Sequence, residues 1–336
     1  MNVAACNICG NVAGNRRWQA REKMDGTLEA FDYVQCSACG HLQLETPLAD
    51  MGKYYARNYS PFHVRHIPPL RRWLYRLRTA PALGRPAPLG RLLNLLKKPY
   101  YCYWLEQTGL RRGDRFLDVG CGAGALVRIL RCAGLESTGI DRYFPAAASG
   151  AAGDGVVQRR DLLDETGRYR AVLFDHSFEH VPNPRELLAK AAAILEPGGC
   201  VIVRIPLSDS FAMYRYGSNW VQWDAPRHLN LFTRDSFGRL AGQCGLRVET
   251  MVQDSSSFQF WASEDYCHDR FFHSPESFAQ SQRYDHFTRR QMRDYARWAK
   301  WLNRMGAGDQ ATFICRRISE DPAGSGAKTP PRKTNP

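Results

Sequence analysis

The stretch FLDVGCGAGALV, residues 116–127, places three glycines within five positions between two apolar runs. We predict a strand over Arg115–Val119 and a helix that starts near Gly124, with Gly120 and Gly122 in the turn between them. Glycine lacks a Cβ atom, so such a turn permits unusual backbone dihedrals and a close ligand approach. The spacing also fits the dinucleotide fingerprint, but the carboxylate of Asp118 favours a ligand that carries positive charge over a pyrophosphate.

Strand-like and helix-like segments alternate after this turn. We predict strands in STGID, GVVQ, AVLFDHS and CVIVRIP, and a helix in PRELLAKAAAIL. Alternation of this kind predicts an α/β fold with a Rossmann-like, doubly wound and mostly parallel sheet. Ligands of such sheets bind at the carboxyl ends of the strands, where Asp118, Asp141, Asp161 and the DHSFEH run are expected.

The length of 336 residues and the hydrophobic content of 44% allow one α/β core and a small accessory unit. The start of the chain has no basic, apolar leader, and no run is long enough for a membrane span. We therefore expect a cytoplasmic protein, with peripheral membrane contact as an option. The predicted organisation is a cysteine module at 1–47, a basic, partly helical connector at 48–98, the α/β domain at 99–317 and a disordered tail at 318–336.

Four of the eleven cysteines form two matched pairs, Cys6-x-x-Cys9-Gly and Cys36-x-x-Cys39-Gly. Two such turns complete a tetrahedral zinc site without an open position, which is the structural arrangement. The alternatives are a redox-active dithiol or a site that has lost its metal. His41 could replace a cysteine, but four thiolates leave it no vacancy. We expect the other seven cysteines to be reduced thiols.

A basic segment spans residues 52–105. No acidic residue lies between Asp50 and Glu106, whereas eleven lysines and arginines in that interval account for most of the formal net charge of +13. Aromatic and leucine side chains alternate with these cations. The pattern predicts contact with anionic lipid, a phosphorylated substrate or nucleic acid, and the alternative is a solvated connector.

Six motifs carry a resemblance to a known family: LDVGCGAG, GID, RRDLL, HSFEHVPNP, LEPGGCVIVRIP and WDAPRHLNLFT. In order and spacing they resemble class I S-adenosylmethionine-dependent methyltransferases. Nearly the whole chain resembles the subgroup that has an N-terminal zinc-binding module, many members of which act in glycan and sugar biosynthesis. The resemblance implies S-adenosylmethionine as the cofactor at the glycine turn.

The resemblance also implies roles for residues in the cleft. Asp118 begins the motif that orients the methionine portion, Asp141 binds the ribose hydroxyls, and Arg142 stacks beside the adenine. Asp161 and Leu162 resemble the pair that takes the adenine edge. The implied cofactor-binding set is Asp118, Gly120, Cys121, Gly122, Gly124, Asp141, Arg142, Asp161, Leu162 and His176. For each aspartate the alternative role is a turn or helix cap.

The motif HSFEHVPNP supplies the predicted catalytic base. Methyl transfer requires a positioned acceptor and, for a hydroxyl or acidic carbon, removal of a proton. His180 has a suitable ordinary pKa, and Glu179 could orient its ring or bind the acceptor. The alternative is that both residues cap the strand end.

The segment WVQWDAPRHLNLFT resembles an acceptor lid. Trp220 and Trp223 would stack on a sugar, while Asp224, Arg227 and His228 would bind its hydroxyls. We include His228 among the predicted catalytic residues. The alternative is a packed loop that leads into a helix with Thr233 as its N-cap.

Three functions compete. The first is a methyltransferase that acts on a sugar, a nucleotide-sugar or a lipid-linked glycan. The second is an RNA methyltransferase, which the missing NPPY-like and PC motifs disfavour, so nucleic acid is not expected as a partner. The third is a non-catalytic zinc-ribbon protein on a methyltransferase scaffold, which the complete set of glycine-turn residues disfavours.

Overall fold

The structure is a computed structural model that describes residues 4–46, 48, 50–55, 67–144 and 155–318. The described part of the chain forms two sheets. The smaller sheet is antiparallel and has the order β1-β2-β3-β9. Its strands are β1 (Arg16–Arg21), β2 (Ala30–Gln35), β3 (Leu42–Leu44) and β9 (Asn230–Leu231).

The larger sheet has the order β10-β11-β8-β7-β4-β5-β6. Strands β6, β5, β4, β7 and β8 are parallel, and β11 and β10 follow in antiparallel pairing. This topology confirms the predicted α/β fold. The strands are β4 (Arg115–Val119), β5 (Glu136–Ile140), β6 (Val157–Gln158), β7 (Tyr169–Asp175), β8 (Leu195–Pro206), β10 (Leu246–Gln253) and β11 (Gln310–Arg317).

Helices cover both faces of the larger sheet and connect its parallel strands. They are α1 (Pro69–Thr79), α2 (Pro88–Leu96), α3 (Tyr100–Thr108), α4 (Ala125–Ala133), α5 (Pro184–Ala193), α6 (Phe211–Tyr216), α7 (Arg234–Gln243), α8 (Phe258–Cys267), α9 (Phe278–Ser281) and α10 (Arg289–Arg304). Among the described residues, none of the helices combines the length and apolar character that crossing a bilayer requires.

Most predicted elements are confirmed, with shifted ends. The predicted helix at 184–195 ends at Ala193, because β8 already begins at Leu195 rather than at Cys200. Thr233 caps α7 as predicted: its side chain accepts from the backbone N–H of Ser236 in a reciprocal capping box. Helices α1 and α2 lie within the segment predicted as the connector.

Alternate residues of the central strands fill two apolar layers. In β4, Phe116 belongs to the layer that contains Trp104, and Leu117 belongs to the opposite layer. The second layer also contains Cys6 and Cys36, so the N-terminal segment shares a core with the large sheet. A strand buried on both faces reads as a near-continuous apolar run, as residues 171–174 of β7 do.

The boundary predicted at residue 47 stays a prediction. The structure adds that β9, a strand from the α/β part, pairs with β3, so the two parts share the smaller sheet. At the other end, the backbone N–H of Ile318 donates to the carbonyl of Gly245. The rest of the predicted tail, 319–336, lies outside the described residues.

Candidate active site

An open cleft lies at the carboxyl ends of β4, β5 and β7, where the strand order changes direction. Its empty volume, including the mouth, is about 1000 Å³. Clefts of α/β proteins form at such switch points. The predicted residues that line it are Gly120, Asp141, Arg142, Asp161, Leu162, His176 and His180.

Gly120 is the residue of the glycine turn that lines this cleft. Gly120, Gly122 and Gly124 all have positive φ angles, of 75°, 53° and 72°. A Cβ atom at Gly120 would lie 2.5 Å from the Cβ of Ser177. The hydroxyl of Ser177 donates to the carbonyl of Val119 over 2.6 Å. Ser177 therefore closes the space that any larger residue at 120 would need.

Asp141 joins the glycine turn to the end of β5. Its carboxylate accepts from the backbone N–H groups of Gly122 and Tyr143, over 3.0 and 2.8 Å. Burial raises the pKa of Asp141, although these donors act in the opposite direction. The carboxylate still lines the cleft, so its remaining lone pairs are available to ligand hydroxyls.

Asp161 and Arg142 form an ion pair in the lining of the cleft. Asp161 caps a short helical turn by accepting from the N–H of Leu163, and its other oxygen lies 3.6 Å from the Arg142 guanidinium. Asp161 thus serves as a helix cap, which was the alternative role predicted for it, and it also lines the cleft. Leu162, the residue after Asp161, is buried.

Four predicted cofactor-binding residues, Asp118, Cys121, Gly122 and Gly124, are not among the residues that line the cleft. Asp118 is buried beneath the turn, and burial followed by the charges of Asp175 and Asp141 raises its pKa well above the ordinary value. The Cys121 side chain points at β5, where a Cβ on Gly139 would lie 2.4 Å from its sulfur. Only the backbone of Cys121 is placed to serve the turn.

His176 and Glu179 form a pair at the end of β7. The Nδ1 atom of His176 lies 3.2 Å from Oε1 of Glu179. Burial opposes the charge of Glu179, but the hydrogen bond and charge of His176 and the nearby histidines lower its pKa to about 2. His176 has a φ of 52°, which is uncommon for a residue with a side chain and keeps the imidazole at the cleft.

His180 lines the cleft from the short turn that follows. Its Nδ1–H donates to the carbonyl of Arg227 over 2.8 Å. A neutral imidazole with a protonated Nδ1 has its lone pair on Nε2. Burial, followed by the charge of His228, lowers the pKa of His180, so the ring is neutral near pH 7. Nε2 is the atom that could accept a proton.

His228 lies behind His180 rather than in the cleft. The ring centroids are 4.7 Å apart, and the Nδ1 of His228 donates to the carbonyl of Gln222 over 2.8 Å. Its Nε2 lies 3.9 Å from Oε1 of Glu179 and 3.7 Å from Oδ2 of Asp224. His228 is not among the residues that line the cleft, so it is not placed to contact an acceptor. It packs against the ring of His180 instead.

The predicted acceptor lid is a packed loop. Trp220 and Trp223 are 0% and 2% exposed, and their indole N–H groups donate to Asp309 and to the carbonyl of Gly217. The prediction that they stack on a sugar was wrong, because an aromatic pair after a strand serves a core equally well. Arg227, only 1% exposed, is paired with Asp224 at 2.7 Å and Glu22 at 3.0 Å.

Tyr55 lines the cleft, and the sequence reasoning missed it. Its ring stacks on Tyr143 with centroids 5.8 Å apart, and its hydroxyl lies 3.2 Å from Nδ1 of His180. Tyr55 comes from the connector, far in sequence from the motifs. In the sequence, the only indication of a role for Tyr55 is that it lies in an aromatic-rich segment, and this does not distinguish it from the other tyrosines there.

The four predicted zinc ligands converge. The sulfur atoms of Cys6 and Cys39 lie 3.7 Å apart, those of Cys9 and Cys36 lie 3.5 Å apart, and all four are within 4.8 Å of one another. Tetrahedral zinc with Zn–S bonds of ~2.3 Å needs sulfurs ~3.8 Å apart. These distances exceed a disulfide bond and fit a Cys₄ zinc site.

The two cysteine turns have the same backbone design. The N–H of Gly10 donates to the carbonyl of Cys6, and the N–H of Gly40 to that of Cys36, both over 2.9 Å. His41 points elsewhere: its Nε2 lies 3.1 Å from Oδ1 of Asn230, and burial lowers its pKa to about 4. His41 therefore stays outside the thiol cluster, as predicted.

Comparison with known proteins agrees with this geometry. A family model described as a methyltransferase domain matches residues 89–251. A ubiquinone biosynthesis O-methyltransferase from Dechloromonas aromatica is 30% identical over 169 residues, which are 44% of this chain and 71% of the relative. The corresponding enzyme from Bordetella bronchiseptica is 33% identical over 149 residues, 40% of this chain and 60% of the relative.

The chain belongs to the class I S-adenosylmethionine-dependent methyltransferases. It spans 59–60% of the length of the first curated relatives that it matches. Among solved structures, the cyclopropane synthase MmaA2 from Mycobacterium tuberculosis aligns at 16% identity with a TM-score of 0.42, over 72% of this chain and 93% of that one.

Proposed function

We propose that this chain transfers a methyl group from S-adenosylmethionine to an oxygen atom of a small acceptor, with His180 as the base. The observation that carries the proposal is that Asp141 and His180 line one cleft above the glycine turn. Asp141 could bind the hydroxyls of the cofactor's ribose, and His180 could take the proton of the acceptor. The names of the relatives, which are O-methyltransferases, support oxygen as the acceptor atom.

The cofactor end of the cleft fits S-adenosylmethionine. Gly120 lines the cleft and has no side chain, and Asp141 offers acceptors to a pair of ribose hydroxyls. Arg142 and Asp161 would flank the adenine, with Leu162 against its ring. The buried carboxylate of Asp118 interacts with the charges of Asp141 and Asp175. A cationic ligand nearby would stabilise its ionised form.

The acceptor end holds a base with a fixed tautomer. S-adenosylmethionine supplies a methyl carbon activated by its sulfonium. The bond from His180 to the Arg227 carbonyl keeps Nε2 unprotonated and fixes the ring. Nε2 then takes the proton of the acceptor hydroxyl, and the carboxylates of Glu179 and Asp224 stabilise the resulting imidazolium.

We propose a structural role for zinc. Cys6, Cys9, Cys36 and Cys39 would hold one ion with no open position, so no catalytic step passes through it. The ion would fix the N-terminal segment against the core shared with the large sheet. Through Glu22 and its ion pair with Arg227, this segment supports the loop behind His180.

The acceptor class predicted from the sequence, a sugar or glycan, stays a proposal. Burial of Trp220 and Trp223 removes one reason for it. The polar groups His176, His180 and Tyr55 remain at the mouth, and they suit a hydroxyl-bearing head group of either a sugar or a ring.

The test is transfer of a radiolabelled methyl group. Purified protein is incubated with methyl-labelled S-adenosylmethionine and, separately, with fractions of polar glycans, extractable lipids and RNA from a bacterium. Label in the glycan or lipid fraction that is lost in His180→Gln supports the proposal. Label in RNA alone, or in His180→Gln to the same extent, contradicts it.

A further inference from the structure

Helix α2 packs against α1 through one narrow edge. A Cβ atom at Gly90 would lie 2.1 Å from the carbonyl oxygen of Leu77, so the two helices are in close backbone contact there. One turn later, the side-chain amide of Asn94 donates to the carbonyl of Arg78 over 2.8 Å. Residues four positions apart lie on one side of a helix, so Gly90 and Asn94 define the inner edge.

The other side of α2 is apolar and exposed. Its leucines are Leu89, Leu92, Leu95 and Leu96, with exposed fractions of 47%, 58%, 83% and 83%. On α1, Leu70 and Trp73 are 68% and 51% exposed. We call these six residues the leucine face. Single exposed apolar residues are ordinary, but a cluster on neighbouring helices marks an interaction surface.

The charge around the leucine face has one sign. Exposed cations on α1, on α2, between these helices and just after α2 are Arg71, Arg72, Arg76, Arg85, Arg91 and Lys97. The sequence contains no acidic residue from Met51 to Leu105. Apolar side chains bordered by cations suit a surface that is apolar inside and anionic at its boundary, which is an anionic bilayer.

Tyr100, which follows α2 closely in sequence, connects this part of the chain to the end of β7. Tyr100, the first residue of α3 and 42% exposed, donates from its hydroxyl to Asp175 at the end of β7 over 3.0 Å. The guanidinium of Arg204 lies 4.6 Å from the Tyr100 ring centroid. The next residue after Asp175 is His176, which lines the cleft.

We propose that the leucine face docks this protein on an anionic membrane and that its acceptor is a membrane-resident amphiphile whose hydroxyl head group enters the cleft. The proposed membrane docking rests only on the leucine face and the cations around it. The statement about the acceptor also rests on the proposed methyl transfer.

Helix α10 is the rival surface. It exposes Trp298 and Trp301 at 55% and 57%, and it is also rich in arginine. However, Asp294 lies in the same helix and pairs with Arg297 at 3.3 Å, so the charge there is partly balanced. Because it also combines exposed apolar side chains with cations, α10 provides the control variant.

The test is co-sedimentation with vesicles of phosphatidylcholine, with and without phosphatidylglycerol, at low and moderate salt. We expect the full chain to sediment with the anionic vesicles at low salt and to be released by salt. The variant Arg71→Gln/Arg76→Gln/Arg91→Gln should lower the partition coefficient at least about tenfold, since each charge near an anionic surface contributes measurably. Leu92→Ser/Leu95→Ser should lower it by a similar factor.

The control Arg290→Gln/Arg293→Gln/Lys300→Gln should leave sedimentation nearly unchanged. Calorimetric binding of S-adenosylmethionine by each variant shows that it is folded, and it reports on the proposed function independently of the vesicles. Three outcomes would overturn the docking: no binding to anionic vesicles, a loss confined to the α10 control, or a solution dimer that Leu92→Ser/Leu95→Ser dissociates without vesicle binding. Vesicle binding with methylation confined to water-soluble acceptors would overturn the statement about the acceptor.

Discussion

The Nδ1 atom of His180 lies 2.8 Å from the carbonyl oxygen of Arg227, which joins the end of β7 to the loop behind it. Arg227 is held in turn by Asp224 of the same loop and by Glu22 of the N-terminal segment. The orientation of the proposed base thus depends on three separate parts of the chain. Only the HSFEHVPNP motif pointed to it from the sequence.

The first prediction concerns the pKa of His180. The Glu179 carboxylate raises this pKa, against the larger effects of burial and of His228. We expect Glu179→Gln to lower the pKa further, because the charge that favours the imidazolium is lost. NMR titration of the imidazole resonances measures this without an acceptor. Glu186→Gln, an exposed change at the cleft rim, is the control; a higher pKa in Glu179→Gln would contradict the assignment.

The second prediction separates crowding from backbone strain at the glycine turn. Gly120→Ala brings a Cβ to within 2.5 Å of Ser177 at a φ of 75°, whereas Gly109→Ala has a φ of 71° and open space around it. Gly109→Ala should cost about 1–2 kcal/mol of unfolding free energy. Gly120→Ala should cost more and should also abolish cofactor binding. Urea unfolding and calorimetry measure the two effects, and Ser177→Gly should restore part of the loss if crowding is its cause.

The third prediction concerns zinc. Metal analysis of the purified protein should find about one equivalent, and Cys36→Ser should release it and loosen the N-terminal segment. Cys267→Ser changes an exposed cysteine far from the cluster and should retain the metal. A wild-type protein that is folded and free of metal under reducing conditions would rule out the site.

The fourth prediction concerns stability against pH. Burial raises the pKa of Asp309 to about 6, although Trp220 and Ser255 donate to it. The folded pKa lies above the unfolded value of ~3.9, so the contribution to stability is complete below pH ~4 and is lost as pH rises through 6. The difference is about 3 kcal/mol.

Asp309→Asn should remove this dependence. Urea unfolding at about pH 4.5 and about pH 7.5 compares the variant with the wild type, and the other titrating groups cancel in the difference. We expect the variant to gain stability relative to the wild type as pH rises. A difference that is the same at both pH values would show that Asp309 is ionised in the folded state.

The large sheet could be predicted because its strands are local apolar runs with turn residues between them. The glycine turn, the Thr233 cap and the paired cysteines are likewise local patterns whose geometry follows from residue type and spacing. These elements have the predicted form. One boundary differs by a few residues, because Leu195 belongs to β8 and not to the preceding helix α5.

The long-range contacts could not be predicted in this way. Nothing near β9 indicates that it pairs with β3, and nothing near Glu22 indicates that it is buried against Arg227. The burial of Trp220 depends on Asp309, which is distant in sequence. An aromatic residue in a loop suits a ligand or a core equally, and only the fold decides between them.

The central claim is that the cleft binds S-adenosylmethionine through the glycine turn and Asp141, and calorimetric titration of the purified protein tests it most directly. The wild type should bind the cofactor, and Asp141→Ala should weaken binding at least about tenfold, because two charge-assisted hydrogen bonds of ~1.5–3 kcal/mol each would be lost. Asp164→Ala, an exposed change in the neighbouring turn, should bind like the wild type. Undetectable binding by the wild type, or equal affinity in Asp141→Ala, would contradict the account.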